Sequence, residues 1–363
     1  MNKTHQKKFW SKIVGGFVAF SLAIGASYTT LPTPTASASA ASIIGAVIGG
    51  AVQATQINSA IKKYNKTEEG RQELFAAMQQ KYGVNSDPEL NRRLDRIMSA
   101  LTSAIGQVDP TVYDKPYLYF VNNDKSFNAF CSLGHVMSVN TGLFNAIQNE
   151  DEIAVVIGHE MGHGQKDHPA KGMRRSIGPA ILANATGSIA GVIVANIWNN
   201  QGITKPQEWE ADNLAFEYLT HSNYNPGACA AIWQRVMDQS GSGGDSFAHL
   251  MVGGSDHPSN KERRNNYAKK LAEYSGKHVA VEDGNISVNG QFFCTPAAAS
   301  DMSGAERSYF VAGNLAAAFH NGQNKLGATS EGSTVKLGNQ PIIIVTGDDE
   351  SASVLAERLN SLL

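Results

Sequence analysis

Residues 1–40 contain no aspartate and no glutamate, although the chain of 363 residues carries 32 acids against 30 lysines and arginines. Lys3, Lys7, Lys8 and Lys12 precede an apolar run from Ile13 to Ala26, and Ala38-Ser39-Ala40 stands before Ala41. A basic n-region, an apolar h-region and an A-x-A site are the three parts of a secretory signal peptide. Export to the periplasm or cell envelope, with removal of residues 1–40, is therefore expected. The alternative, an uncleaved anchor, would need a longer apolar run. The absence of a cysteine near the site argues against a lipoprotein anchor. Basic charge is short as well. Without residues 1–40, 26 basic residues face 32 acidic ones, a net charge of −6 with histidine neutral. That argues against nucleic acid as a partner and gives no broad attraction to anionic lipid. Cysteine is scarce: Cys131, Cys229 and Cys294 allow one disulfide and leave one thiol over. In an oxidising compartment a Cys131–Cys294 bridge is the expectation, since it would staple a second domain to the first. Three reduced, buried thiols are the alternative. No internal repeat stands out.

What is present suits a folded protein. The apolar fraction of 42% is that of a chain with a real core, and the length fits one large domain and a smaller one. Residues 41–56 are small and apolar, and are expected to begin a helix. Leu74, Phe75 and Met78 mark one helical stripe; Asp87-Pro88 opens a second helix with Leu90, Leu94, Ile97, Met98 and Leu101 at helical spacing. Tyr117–Val121 and Val136–Val139 read as strands. Asn149 to His163 is a helix, and further helices run from Pro206 to Leu219, to about Met237, and from Lys261 to Tyr274. Ile177 to Trp198 is long enough to span a membrane and contains Gly187-x-x-x-Gly191. Pro179 and the central glycines and asparagines are poor material for a lone span. A buried or hairpin-forming helix is expected there, with a lid over the cleft or contact with a membrane surface left open. Residues 240–256 are rich in glycine and serine and read as a flexible loop. From Gly276 the composition changes. A hairpin over His278–Phe293, turned at Gly284-Asn285 or Asn289-Gly290, a helix over Glu306–His320, a strand-like Thr334–Val345 and a closing helix over Ser351–Leu362 make residues 276–363 a small α/β domain. It carries no motif tied to chemistry. The domain boundaries are thus 1–40, 41–275 and 276–363.

The chemistry lies in His159-Glu160-Met161-Gly162-His163. Residues four apart share a helix face, so both imidazoles reach one metal ion while Glu160 lies at the edge of that face. A carboxylate there takes a proton from zinc-bound water and returns it to the leaving amine. Two histidines on a surface helix are the bland alternative. A histidine-type third ligand fails: His168 stands nine residues after His159, and Lys166 holds the position where a glycine is needed. An acid from Glu208-Trp209-Glu210-Ala211-Asp212 fits instead. Glu208 and Asp212 share a face, so one binds the metal while the other hydrogen-bonds a ligand imidazole. Glu210 points elsewhere and reads as a solvated acid.

Five ordered blocks resemble the HtpX- and BepA-like zinc metallopeptidases, which are related to the membrane CAAX prenyl proteases. They are Asn128-Ala129-Phe130, Thr141-Gly142-Leu143, the H-E-x-x-H segment followed by His168, Glu208 with Asp212, and His257-Pro258 with Arg263. The resemblance covers residues 65–272. It implies an α+β fold, a mainly helical zincin domain of the glutamate-ligand type with a short mixed sheet, beside the small C-terminal α/β domain. It implies zinc on His159, His163 and Glu208, Glu160 as general base, and Asp212 and Arg263 as supports. It also implies that Ser138 lies in an edge strand beside the substrate backbone. His257 matches a position close to the metal, where it serves as a reversible fourth ligand, as a donor to the oxyanion, or as a structural residue before Pro258. The family's Pro-Gly-Gly turn is replaced by Ser132-Leu133-Gly134-His135, which puts His135 near the cleft, touching substrate or standing exposed as a bystander. Substrates implied are unfolded or misassembled envelope or outer-membrane proteins. The competing readings are a zinc-stabilised chaperone or assembly factor with latent proteolysis, and an intramembrane protease if residues 177–198 span a bilayer.

Overall fold

The computed structural model describes residues 58–176, 202–240 and 258–363, with Thr55 and Ile193. The expected signal peptide, the apolar segment 177–198 apart from Ile193, nearly all of the loop 240–256, and His257 lie outside the described residues. All the described residues belong to one compact unit. Among them, no helix is long and apolar enough to cross a membrane.

A helical stretch over residues 58–66 leads into α1 (Glu68–Tyr82) and α2 (Pro88–Val108). The Asp87 side chain accepts the N–H groups of Glu89 and Leu90 at the start of α2, and Pro88 follows it in the first turn. Three short strands come next: β1 (Leu118–Asn122), β2 (Ala129–Cys131) and β3 (Val136–Asn140). The sheet order is β1-β3-β2; β3 runs parallel to β1 and antiparallel to β2. Side chains alternate across it. Val121, Ala129, Cys131, Met137 and Val139 join the main core, while Phe120, Phe130 and Val136 join a second cluster with Leu74 and Met78 of α1. Both faces are covered, so β3 is buried along its whole length. Ser138 is therefore central, not at an edge as the family resemblance implied. The edge strands are β1 and β2; β2 overlaps the Asn128-Ala129-Phe130 block but had no strand pattern in the sequence.

After α3 (Thr141–Ala146) comes α4 (Glu150–Gln165), whose N-cap Asn149 accepts the Asp151 N–H at 2.8 Å. Three acids in its first turn, Glu150, Asp151 and Glu152, complement the helix dipole. Then follow α5 (His168–Ser176), α6 (Lys205–Thr220), α7 (Ala228–Ser240) and α8 (Asn260–Tyr274). A reciprocal Ser259–Glu262 capping box opens α8.

The chain beyond α8 is built from two copies of one unit. The first is β4 (Val279–Glu282), β5 (Asn285–Val288), β6 (Gln291–Cys294) and α9 (Gly304–His320). The second is β7 (Ala328–Glu331), β8 (Thr334–Leu337), β9 (Gln340–Ile344) and α10 (Ala352–Leu362). Each trio of strands forms an antiparallel meander with an irregularity after the second residue of its middle strand, at Ile286/Ser287 and at Val335/Lys336. Matching positions lie 49 residues apart: Glu282 and Glu331, Ile286 and Val335, Val288 and Leu337, Gln291 and Gln340. The repeat escapes the sequence because the burial pattern is kept while most side chains change. The first sheet turns at the expected Asn289-Gly290 and also at Asp283-Gly284, one residue before the expected Gly284-Asn285; all four turn residues have positive φ, as tight two-residue hairpins need. The two sheets and two helices share one core, and α9 also sends Tyr309 and Ala316 into the main core.

Each sheet ends in a strand whose outer carbonyl is covered by an arginine. Arg358 Nη1 donates to Phe293 O at 2.7 Å, and Arg307 Nη2 to Ile344 O at 3.1 Å. Arg307 is held in turn by Asp349, which also accepts the N–H groups of Ala297 at 2.7 Å and Thr346 at 2.8 Å. Burial would raise the Asp349 carboxyl, but these donors outweigh it and hold it at about 2. A carboxyl depressed by folding stabilises the fold above its unfolded pKa of about 3.9, and the contribution is lost as pH falls through about 2. Asp349→Asn is accordingly expected to lower unfolding free energy by about 1.5–3 kcal/mol at pH 7, with the difference from wild type shrinking towards pH 2. Urea unfolding at both pH values measures it.

All three thiols are free and buried, which corrects the expected Cys131–Cys294 bridge. Cys131 belongs to the main core and Cys294 to the core of the duplicated unit, so each is taken up by its own packing. A buried ion cluster ties α4 to the C-terminal part. Arg235 of α7 lies 3.2 Å from Glu152, 2.7 Å from Glu306 of α9 and 2.9 Å from Asp301. Burial pushes the Glu152 and Glu306 carboxyls above the usual range, against the opposing pull of Arg235.

Candidate metal centre

Two helices approach closely because neither has a large side chain at the crossing. Gly158 and Gly162 of α4 face Ala211 and Ala215 of α6; a Cβ added at Gly162 would lie 3.3 Å from Ala211 Cα and from Leu214 Cβ. One turn before Ala211, α6 presents Glu208 to the histidine face of α4. Thr204 and Gln207 fix the start of α6: Gln207 Oε1 accepts the Thr204 N–H at 3.0 Å, with Pro206 in the first turn.

The site residues meet there. His159 Nε2 and His163 Nε2 are 3.0 Å apart, and Glu208 lies 3.5 Å from each, through Oε2 to His159 and through Oε1 to His163. One ligand atom from each of the three lies within 4.8 Å of the others, so the group could hold a metal ion. Glu160 is beside them, and its Oε2 accepts the Cys131 N–H of β2 at 3.0 Å. Burial pushes the Glu160 carboxyl up to about 7, against the opposing pull of His159 and the Cys131 N–H.

Each imidazole is supported from behind. His159 Nδ1 lies 2.9 Å from Asp212 Oδ1. Arg263 of α8 grips the same carboxylate through Nε at 2.7 Å and through a second, shorter bond from Nη2, and its guanidinium lies 3.8 Å over the Trp233 ring. Asp212 and Arg263 are thus brought together behind His159. His163 Nδ1 lies 2.9 Å from His168 Nδ1, and His168 Nε2 lies 3.0 Å from Glu210 Oε2. That second line was missed: Glu210 is half-exposed but bonded, not simply solvated. The signal that could have found it is a histidine just past the end of the H-E-x-x-H helix, facing an acid two residues after Glu208.

Proton positions follow from the acceptors. Glu210 takes the N–H of His168 Nε2, so His168 Nδ1 accepts from His163 Nδ1, and His163 Nε2 presents a lone pair. Asp212 likewise takes the His159 Nδ1 proton. Burial works against charge on His159, but Asp212 and Glu208 outweigh it and raise the imidazole to about 9; burial and His159 together hold His163 well below its usual value.

Residues 88–270 match the model of peptidase family M48. The chain belongs to that family. The M48 segment begins with α2 and ends within α8, so it contains every site residue described above. A putative beta-barrel assembly-enhancing protease of Vibrio cholerae is 29% identical over 174 residues, 43% of this chain and 34% of that protein. The mitochondrial metalloendopeptidase OMA1 of Arabidopsis thaliana is 30% identical over 180 residues, 47% of this chain and 35% of that protein. The metalloprotease LoiP of Escherichia coli is 26% identical over 198 residues, 52% of this chain and 73% of that protein. The alignments with the first two span about a third of each relative. The chain is thus a mainly helical α+β member of peptidase family M48, and the duplicated unit from β4 onward lies beyond the matched segment.

His135 departs from its expected place. It is buried, its ring stacks on Tyr117 at 4.4 Å, and its nitrogens face Lys115 O at 2.9 Å and Gly164 O at 3.1 Å. It braces the turn into β3 against the end of α4 and is neither exposed nor open to substrate.

Proposed function

We propose that the protein is a zinc-dependent endopeptidase acting on unfolded or misassembled envelope proteins, with His159, His163 and Glu208 as zinc ligands and Glu160 as general base. The observation that carries this reading is the convergence of two imidazole nitrogens and one carboxylate at separations of 3.0, 3.5 and 3.5 Å. Donors bound tetrahedrally at 2.0–2.2 Å lie about 3.4 Å from one another, so the set has the size and chemistry of a zinc site. Three protein ligands leave a fourth position open, as catalytic zinc sites do.

Zinc held by His159, His163 and Glu208 would supply Lewis acidity that activates a water near neutral pH. Glu160, with its Oε2 fixed by the Cys131 N–H, would act as the base that takes a proton there. The same carboxyl then delivers the proton to the departing amine. β2 offers the edge beside which an extended peptide would lie. Envelope substrates are supported by the relatives whose names state assembly of beta-barrels, together with the export signal read from residues 1–40.

The purified protein is expected to contain one zinc per chain and to cleave casein. Chelation should abolish cleavage, and added zinc should restore it. Stoichiometric zinc without cleavage would favour the chaperone reading, and no zinc would sink the site assignment.

A further inference from the structure

We infer that His168 and Glu210 are positioning residues for the ligand His163, forming a two-bond line that fixes its tautomer and orientation. This rests on the zinc-peptidase reading above. The geometry is specific. His168 is fully buried, whereas Glu210 is half-exposed, so the line runs from solvent to the metal position through one enclosed ring. Its links are 3.0 Å from Glu210 Oε2 to His168 Nε2 and 2.9 Å from His168 Nδ1 to His163 Nδ1.

The polarity of the line has one sense. A carboxylate only accepts, so His168 donates outward through Nε2. Its Nδ1 then accepts the His163 proton, which leaves His163 Nε2 bare toward the metal. Remove His168, and His163 is free to take the other tautomer or to rotate about its side-chain bonds. His159 has a separate support in Asp212 and Arg263, so loss of one line leaves the other intact. The two supports also differ in kind. Asp212 is buried and locked by a guanidinium, whereas the ion pairs of Glu210 among the described residues are with His168 and, at 4.0 Å, with Lys166 Nζ. The His163 line therefore ends in a charge that solvent screens, and the buried ring should matter more than the surface acid.

The test compares wild type with His168→Leu, His168→Asn and Glu210→Gln. Zinc affinity is read by competition with a chelator, the melting temperature of the zinc-free protein reports folding, and kcat and KM are taken at saturating zinc. His168→Leu is expected to weaken zinc binding about 10–100-fold and to lower kcat with little change in KM. His168→Asn, whose amide oxygen stands where Nδ1 was, should recover most of the affinity. Glu210→Gln should lose affinity in the same direction but by less. Native zinc affinity in His168→Leu overturns the inference. So does His168→Asn binding zinc as poorly as His168→Leu, since packing alone would then explain both. If His168→Leu does not fold, Glu210→Gln decides, and unchanged affinity there overturns the line. Wild type that binds no zinc overturns the peptidase reading itself, whereas wild type that binds zinc and cleaves, beside an indistinguishable His168→Leu, overturns only the line.

Discussion

Glu160→Gln is expected to lower kcat for peptide hydrolysis about 10²–10⁴-fold while the protein keeps its zinc and its melting temperature. The carboxylate is not among the three convergent ligands, so its removal leaves the metal-binding donors intact. Glutamine retains the size of the side chain and can still accept the Cys131 N–H. What it lacks is the ability to take a proton. The measurement is steady-state hydrolysis of a quenched fluorescent peptide, beside metal analysis of the same sample. Activity within a few-fold of wild type would assign the base to another residue. Loss of zinc along with activity would show that Glu160 supports the ligands and would leave its proton role undecided by this variant; Glu160→Asp, which keeps the charge but shortens the reach, then separates the two.

The largest expected stability effect is at Arg263. Asp212 is fully buried, and two of its hydrogen bonds come from this guanidinium. Arg263→Leu would leave a buried carboxylate without its cation partner and would uncover the Trp233 face. Breaking a buried pair on one side costs about 3–5 kcal/mol. Chemical denaturation should show that loss, and zinc affinity should fall with it because His159 is no longer held. Arg263→Lys should recover part of the stability, since a lysine restores charge but not the two-pronged grip. A loss below about 1 kcal/mol in Arg263→Leu would mean that Asp212 is neutralised by a proton when the arginine is gone.

The convergence of His159 and His163 was legible because helical spacing converts a five-residue word into a face: the two had to point the same way. Asp212 and Arg263 were legible through the same logic and the family blocks. The line through His168 to Glu210 was not, because it depends on how the chain turns after α4, which no spacing rule supplies. Strand β2 is three residues long, too short for an alternating pattern to register. Ser138 was placed at an edge because sequence gives no strand order; the order β1-β3-β2 sets it at the centre. The Cys131–Cys294 expectation failed for a related reason. Pairing requires knowing which core each thiol enters, and these enter different ones. The duplication was hidden because burial repeats where identity does not: among the matched strand positions compared above, Glu282 with Glu331 and Gln291 with Gln340 are identical, while Ile286 with Val335 and Val288 with Leu337 keep only apolar character.

In that duplicated unit each helix leans across the divide. α9 packs on β4 and β5 of its own half and on β9 of the other, while α10 packs on β7 and β8 and on β6. Neither half therefore closes its own apolar face. Severed between Asn321 and Gly327, the pieces would have to find each other again to stay folded, and an isolated half would meet its missing complement most readily in another copy of itself. The C-terminal part of this chain is organised as a pair of interlocked subunits that happen to share one polypeptide.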